Sequence, residues 1–140
     1  ALDAEEALFT GDHIMGWSTT VVTPPDGDMR DYFASVRKLQ ARNDKVLWPT
    51  HGNPITDPQP FLRAYLEHRE ERETQVLEQV RAGVSTIKKM VEVLYADVHQ
   101  QLHKAAGRSV YAHLIKLSED GLVLVADGEA PAKKSVYLPK

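Results

Sequence analysis

Residues 8–20 read LFTGDHIMGWSTT, a short apolar run that leads into glycine, aspartate and histidine. The run over 7–10 predicts a strand because it is apolar and stops at Gly11. A strand with a purely structural role is usually closed by turn residues, whereas this one is followed at once by Asp12 and His13. A carboxylate and an imidazole are both good metal ligands. The stretch therefore predicts a sheet whose strand ends carry site residues.

The next segments indicate a layered α/β arrangement, because strand and helix patterns alternate. Residues 19–23 (TTVVT) are a second candidate strand, rich in β-branched residues and stopped by two prolines. Apolar residues at helical spacing predict a helix over 28–42, with Asp28 as its cap. Residues 45–49 (KVLWP) are again predicted to form a strand.

A second candidate ligand follows that strand. His51 lies in the loop THGNPITDP (50–58), 39 residues after Asp12. In α/β proteins, sites are built where strands end, because the scaffold holds the side chains while the loops stay open. Zinc accepts imidazole and carboxylate ligands, usually from three or more protein groups. Asp12 and His51 alone are too few for such a site, so their partners have to come from elsewhere.

The second half of the chain follows a different plan. A helix is predicted from Pro58 to about Ala82, and its charged middle (EHREERETQ) is interpreted as a solvated connection. After Gly83 we expect a short helix capped by Ser85 or Thr86, a second one with a capping box of Asp97 and Gln100, and a third over 107–119. Candidate strands at 122–125 and 135–138 complete a hairpin. Three helices and a hairpin are the plan of a winged helix, so the chain divides into domains 1–82 and 83–140.

The quoted motifs resemble a known family. LFTGDHIMGWSTTVV, followed by PPDGDM, YFASVRKL and LWPTHGNPI, is similar to the second half of metallo-β-lactamase-fold hydrolases, and in particular to the β-lactamase-like protein 2 group. The resemblance continues through YLEHREERETQVLEQV and SVYAHLIKLSEDGLV. It implies the C-terminal half of an αββα sandwich followed by an α+β winged-helix domain. The absence of an initiator methionine likewise suggests the back part of a longer protein.

The resemblance also implies roles for two residues. In that family the aspartate of the Gly-Asp motif bridges two metal ions, which maps onto Asp12. The histidine of a PGHG motif binds one metal, which maps onto His51, although this chain has Thr50 where glycine is common. The family's His-x-His-x-Asp-His motif is absent here, since no His-x-His occurs in the chain. The parent is therefore expected to be a binuclear zinc hydrolase, and these 140 residues alone are expected to be inactive.

The missing half has consequences for partners. The two halves of that fold cover each other's apolar faces, so strands 7–10 and 45–48 should expose apolar surface and unpaired edges. We expect the N-terminal half of the same protein to cover them, or self-association to do so. Some relatives are endoribonucleases, and others in the superfamily cleave thioesters, lactams or phosphodiesters, so the fold does not choose the substrate.

An alternative function is a winged-helix module that binds nucleic acid or a partner without catalysis. Its third helix offers Arg108 and Lys116, and the hairpin tip offers Lys133 and Lys134. Residues 61–140 carry 12 basic and 11 acidic groups, against 5 and 9 in residues 1–60. A role in packing and in shaping substrate entry is slightly favoured over RNA or DNA binding, because four acidic residues dilute this patch: Glu119, Asp120, Asp127 and Glu129.

The composition and spacing of residues argue against several other kinds of site and protein. The chain has no cysteine, which excludes disulfides, thiolate zinc sites and a cysteine nucleophile, and favours a reducing cytoplasm. No apolar run approaches a membrane span. His99 and His103 have the i, i+4 spacing of a zinc pair but lack a metalloprotease glutamate between them. We interpret His13 as a lining residue, His68 as solvated and His113 as a helix-packing residue.

Overall fold

The structure is a computed structural model that describes residues 7–11, 22, 24, 27–50 and 52–140. The predictions for Asp12, His13 and His51, and most of the strand predicted over 19–23, lie outside the described residues. Contacts divide the chain into two compact units. The first lies within Ala1–Val21 and Asp31–Arg69, and the second within Val22–Arg30 and Glu70–Lys140. The domain limit near residue 83 stays a prediction.

The first unit is built on two parallel strands. They are β1, Ala7–Gly11, and β2, Val46–Pro49. Helix α1, Met29–Arg42, lies between them in sequence, and it belongs to this unit from Asp31 onward. Two parallel neighbours need a long crossover, which the intervening chain with α1 supplies. These elements confirm the predicted strands at 7–10 and 45–49 and the helix over 28–42. Val22, the one described residue of the strand predicted over 19–23, lies outside any strand.

A small core and a left-handed turn position β2. Leu47 of β2 is fully buried, as are Val36 of α1 and Leu62 of the long helix α2, Pro58–Arg81. Asn43 has a φ of 60° directly after α1, a conformation in which asparagine is tolerated and which ends helices. The chain therefore leaves α1 abruptly and enters β2 shortly afterwards.

The second unit contains the last part of α2 and the elements that follow. Helix α3 is Ile87–Leu94, a 3₁₀ turn covers Gln100–Leu102, and helix α4 is His103–Glu119. Strands β3, Val123–Val125, and β4, Tyr137–Pro139, pair antiparallel. Their core is one apolar cluster: Val76, Val80, Ile87, Met90, Val91, Ala106, Val110, Leu114, Leu117, Val123 and Tyr137.

The helix caps of this unit confirm one prediction and correct another. Thr86 caps α3, accepting a hydrogen bond from the backbone N–H of Lys89 at 3.4 Å. The capping box of Asp97 and Gln100 is wrong, because the segment is a 3₁₀ turn capped by His99. Helix α4 also begins at His103 rather than at 107. No helix within the described part of the chain is long and apolar enough to cross a membrane.

Candidate functional site

The candidate metal centre lies at the edge where β1 and β2 both end. The strands are parallel, so their carboxyl ends meet, and Gly11 and Pro49 are directly opposite each other. Asp12 follows Gly11 in sequence, and His51 follows shortly after Pro49. Both predicted ligands lie outside the described residues, so the structure pairs the strand ends and leaves the ligand side chains themselves as predictions.

The loop after β2 is fixed at both of its ends. Leu47 and Ile55 exchange two backbone hydrogen bonds of 2.9 and 2.8 Å, so the chain folds back beside β2. Gly52 has a φ of 91°, which favours glycine because a side chain would be strained there. The glycine of the sequence HG (51–52) is thus explained by backbone geometry. The residues flanking position 51 are held in a closed turn at the strand end.

Two of the other histidines, His99 and His103, bond to nearby backbone groups. His99 Nδ1 accepts a hydrogen bond from the N–H of Gln101. The Nε2 of His103 lies 3.0 Å from the carbonyl oxygens of both Tyr95 and Val98; since carbonyls only accept, that nitrogen carries the proton. His68 is exposed, as predicted. Within the residues that the structure describes, no three His, Asp or Glu side chains are grouped so that they could hold a metal ion.

A charged cluster in the second unit was missed by sequence reasoning. Glu73 of α2 accepts hydrogen bonds from two residues of α4, His113 Nδ1 at 3.0 Å and Lys116 Nζ at 2.6 Å. His113 is completely buried, which confirms its predicted packing role, and Glu73 keeps 14% of its side chain exposed. Burial alone would raise the pKa of Glu73, but the bonds from His113 and Lys116 outweigh it and lower that pKa.

The same cluster extends to the C-terminal end of α4. Lys116 also contacts Asp120 at 3.3 Å, and Arg30 binds both Asp120 and Glu119. Burial would lower the pKa of Lys116, yet its bond to Glu73 raises it above the ordinary value. The bond from Arg30 lowers the pKa of Asp120. The positive charge of Lys116 is therefore already paired with two carboxylates.

The other basic residues predicted to contact nucleic acid or substrate are at least partly exposed in the winged-helix segment. Arg108 is half-buried on α4, and Lys133 and Lys134 are exposed in the loop between β3 and β4. The side chain of Lys116, by contrast, is only 18% exposed. A role of these four residues in binding nucleic acid or substrate stays a prediction, and the ammonium group of Lys116 is the one already engaged by carboxylates.

Comparisons with known proteins place this arrangement in a family context. Residues 86–134 match the beta-lactamase associated winged helix domain. The chain is 33% identical over 138 residues to the beta-lactamase-like protein 2 homolog of Drosophila melanogaster, covering 96% of this chain and 46% of that protein. It is also 33% identical over 123 residues to the Caenorhabditis elegans homolog, covering 87% of this chain and 40% of that protein. The chain thus spans less than half the length of these relatives.

Solved structures give the same result for the fold. A metallo-beta-lactamase family protein from Thermus thermophilus matches with a TM-score of 0.79 and 19% identity, over 99% of this chain and 44% of that one. A beta-lactamase domain protein from Burkholderia ambifaria matches with a TM-score of 0.80 and 16% identity, over 96% and 42%. Residues 86–134 form a β-lactamase-associated winged-helix domain, and the chain is a relative of β-lactamase-like protein 2 whose fold matches the C-terminal part of solved metallo-beta-lactamase family structures.

Proposed function

We propose that this chain is the C-terminal part of a binuclear zinc hydrolase with an αββα sandwich, to which it contributes Asp12 as a bridging ligand and His51 as a ligand of one metal. The observation that carries the proposal is the pairing of Gly11 with Pro49 at one sheet edge. A carboxylate and an imidazole are ligands that zinc accepts. The proposed reaction is hydrolysis of an ester-type or phosphodiester bond, with RNA as one candidate substrate.

In this proposal the chain's own residues hold and orient the zinc ions, and none of them acts as the nucleophile. The backbone pair Leu47–Ile55 and the turn at Gly52 fix the loop that carries His51. The carboxylate of Asp12 would help to hold the metal ions. Zinc ions would lower the pKa of a bound water to near neutrality. The ligands that complete the pair are assigned to the N-terminal half of the parent protein.

Zinc titration tests this division of ligands. Two ligands are fewer than the three or more of ordinary zinc sites, so these 140 residues alone should bind zinc weakly, whereas the full-length protein should bind two ions tightly. Isothermal titration calorimetry of both proteins, at the same pH, gives stoichiometry and affinity. Tight binding of two zinc ions by the 140-residue chain alone would refute the assignment.

We also propose that the face around Phe9 and Trp48 is covered by the N-terminal half of the parent protein. These residues are opposite each other on β1 and β2, their ring centroids 6.4 Å apart. Phe9 is 64% exposed and Trp48 44% exposed. Two neighbouring exposed aromatic rings on a sheet are typical of a protein-protein contact. Alone, the chain should use this face to associate with a second copy.

Self-association can be measured on the chain itself. Replacing both residues with serine (F9S/W48S) should weaken any dimer by at least about tenfold, since aromatic residues at the centre of an interface each contribute on the order of 2 kcal/mol. Light scattering over a concentration series gives the dissociation constant. Leu102→Ser is the matched control, because Leu102 is 57% exposed in the second unit. A wild-type chain that stays monomeric throughout would contradict this proposal.

A further inference from the structure

The second unit contains a groove between α3 and α4, and two of the predicted basic contact residues, Arg108 and Lys133, line it. Its main cavity has a volume of about 490 Å³ and adjoins a smaller one of about 180 Å³. The apolar part of the lining comes from Ile87 and Val91 of α3 and from Gly107 and Tyr111 of α4. Four basic side chains line the same two cavities: Lys88, Lys104, Arg108 and Lys133. We refer to the groove lined by these eight residues, together with Glu92, Gln100 and His103, as the basic groove.

A glycine keeps the floor of the basic groove open at a cost to the helix. Gly107 lies inside α4, where glycine is less favourable than alanine. A methyl group there would lie 3.6 Å from Ile87 Cγ2 and 3.9 Å from Val91 Cγ2, which are ordinary contacts. Packing therefore permits alanine, and it would stabilise the helix. The glycine is explained if the space above it is occupied by a ligand.

Two tyrosines hold the loop that carries Lys133. The hydroxyl of Tyr111 donates to the carbonyl of Pro131 at 3.1 Å, and that of Tyr137 donates to the carbonyl of Ala132 at 2.7 Å. Tyr137 is fully buried, and this burial raises its pKa to about 12. The loop between β3 and β4 is thus tied to the core at the two residues that precede Lys133.

The electrostatics of the groove favour an anion. Glu92 is the acidic residue among the described residues that line it, against four basic ones. The first turns of α3 and α4 also contribute to the lining, and helix N-termini add partial positive charge. The acidic residues at the opposite end of α4, Glu119 and Asp120, are bound to Arg30. Basic charge therefore predominates in the groove.

Two polar groups of the groove are already hydrogen-bonded within the chain. The Tyr111 hydroxyl is bonded to Pro131, and the Nε2 of His103 is bonded to backbone carbonyls. The floor is largely aliphatic, so it offers little stacking for a single-stranded nucleic acid. An apolar floor with a basic rim is the complement of a helix that has apolar residues on one face and carboxylates beside them.

We propose that the basic groove binds an acidic amphipathic helix of a partner protein. Leucine-sized side chains of that helix would occupy the space above Gly107, and its carboxylates would pair with Lys104, Arg108 and Lys133. This proposal concerns the winged-helix segment alone and is independent of the hydrolase assignment.

The test uses a fluorescent peptide with leucine at i, i+3, i+4 and i+7 and glutamate at the other positions, measured by anisotropy with the 140-residue chain. We expect binding that weakens with salt, and a loss of at least about tenfold in the K104E/K133E variant, equivalent to about 1.4 kcal/mol. Lys134→Glu is the matched control, since Lys134 is exposed beside Lys133 but does not line the groove. It should change affinity less than about twofold.

Gly107→Ala separates binding from folding. It should leave the free energy of unfolding unchanged or higher and weaken peptide binding several-fold, because the methyl group fills part of the floor. Three results would overturn the proposal: no binding of the glutamate peptide, equal binding of a peptide with lysine in place of glutamate, or equal losses in K104E/K133E and K134E. Tighter, K104E-sensitive binding of an oligouridine RNA would likewise overturn it and assign the groove to nucleic acid.

Discussion

Asp12→Asn in the full-length protein should reduce hydrolytic activity by at least about a hundredfold, because replacing residues that merely support metal ligands already costs about 10–100-fold. Asparagine has nearly the same shape as aspartate but lacks the charge and the second carboxylate oxygen needed to bridge two cations. His51→Ala should lose one ion of the pair, and its loss of activity should be comparable to that of Asp12→Asn. These two substitutions test the proposed ligands directly.

The measurement combines metal content with turnover. Metal per protein is determined by mass spectrometry of the purified full-length variants, and activity is followed with bis(p-nitrophenyl) phosphate and with an oligouridine RNA. His68→Ala is the control, since His68 is exposed on α2 and is distant in sequence from both proposed ligands. If D12N and H51A both retained two metal ions and full activity, the assignment of the site would be wrong.

The strands and long helices could be predicted because local sequence determines them. Apolar runs that stop at glycine or proline predicted β1 and β2. Helical spacing of apolar residues predicted α1, and Pro58 indicated the start of α2. The prediction for the segment around residue 97 was wrong because a contact with His103, which the local pattern does not show, determines its structure. His103 donates to the carbonyls of Tyr95 and Val98, so it closes the turn after α3 and lets α4 begin early. A capping-box pattern in the sequence contains no information on that contact.

The charged cluster around Glu73 shows a second limit of prediction from sequence. Glu73 lies in a run of polar residues that predicts a solvated face. However, it lies at helical spacing before Val76 and Val80, both buried, and so continues their face of the helix. That spacing was the available signal, but its meaning depends on His113 and Lys116, 40 and 43 residues away. The basic groove was missed similarly, because its residues come together only when α3 packs against α4.

Glu73→Ala should lower the free energy of unfolding by about 3 kcal/mol, because breaking a buried ion pair by removing one partner costs about 3–5 kcal/mol and this one is slightly exposed. The substitution leaves His113 and Lys116 without the carboxylate that both contact. Urea denaturation of the 140-residue chain, followed by circular dichroism, measures the change. Glu78→Gln is the matched control, since Glu78 is exposed on the same helix, and it should change stability by less than about 0.5 kcal/mol.

A double-mutant cycle distinguishes the ion pair from general packing. If Glu73 and Lys116 stabilise the unit through each other, E73Q/K116M should lose less stability than the sum of E73Q and K116M, by about 1 kcal/mol or more. Additive losses would show that the two side chains contribute independently and that their contact adds no stability of its own.

The pH dependence of stability follows from the same contacts. The pKa of Glu73 is lower in the folded chain than its ordinary 4.5, so its contribution is present above pH 4.5 and is lost as pH falls through the folded value. The pKa of Lys116 is raised above its ordinary 10.5, so its contribution is present below that pH and is lost as pH rises through the folded value. Between these limits both groups are charged, and the penalty of Glu73→Gln should be largest there. On acidification from about neutral pH to about pH 3, the wild-type chain should lose more stability than E73Q; parallel curves would show that Glu73 is not held ionised by His113 and Lys116.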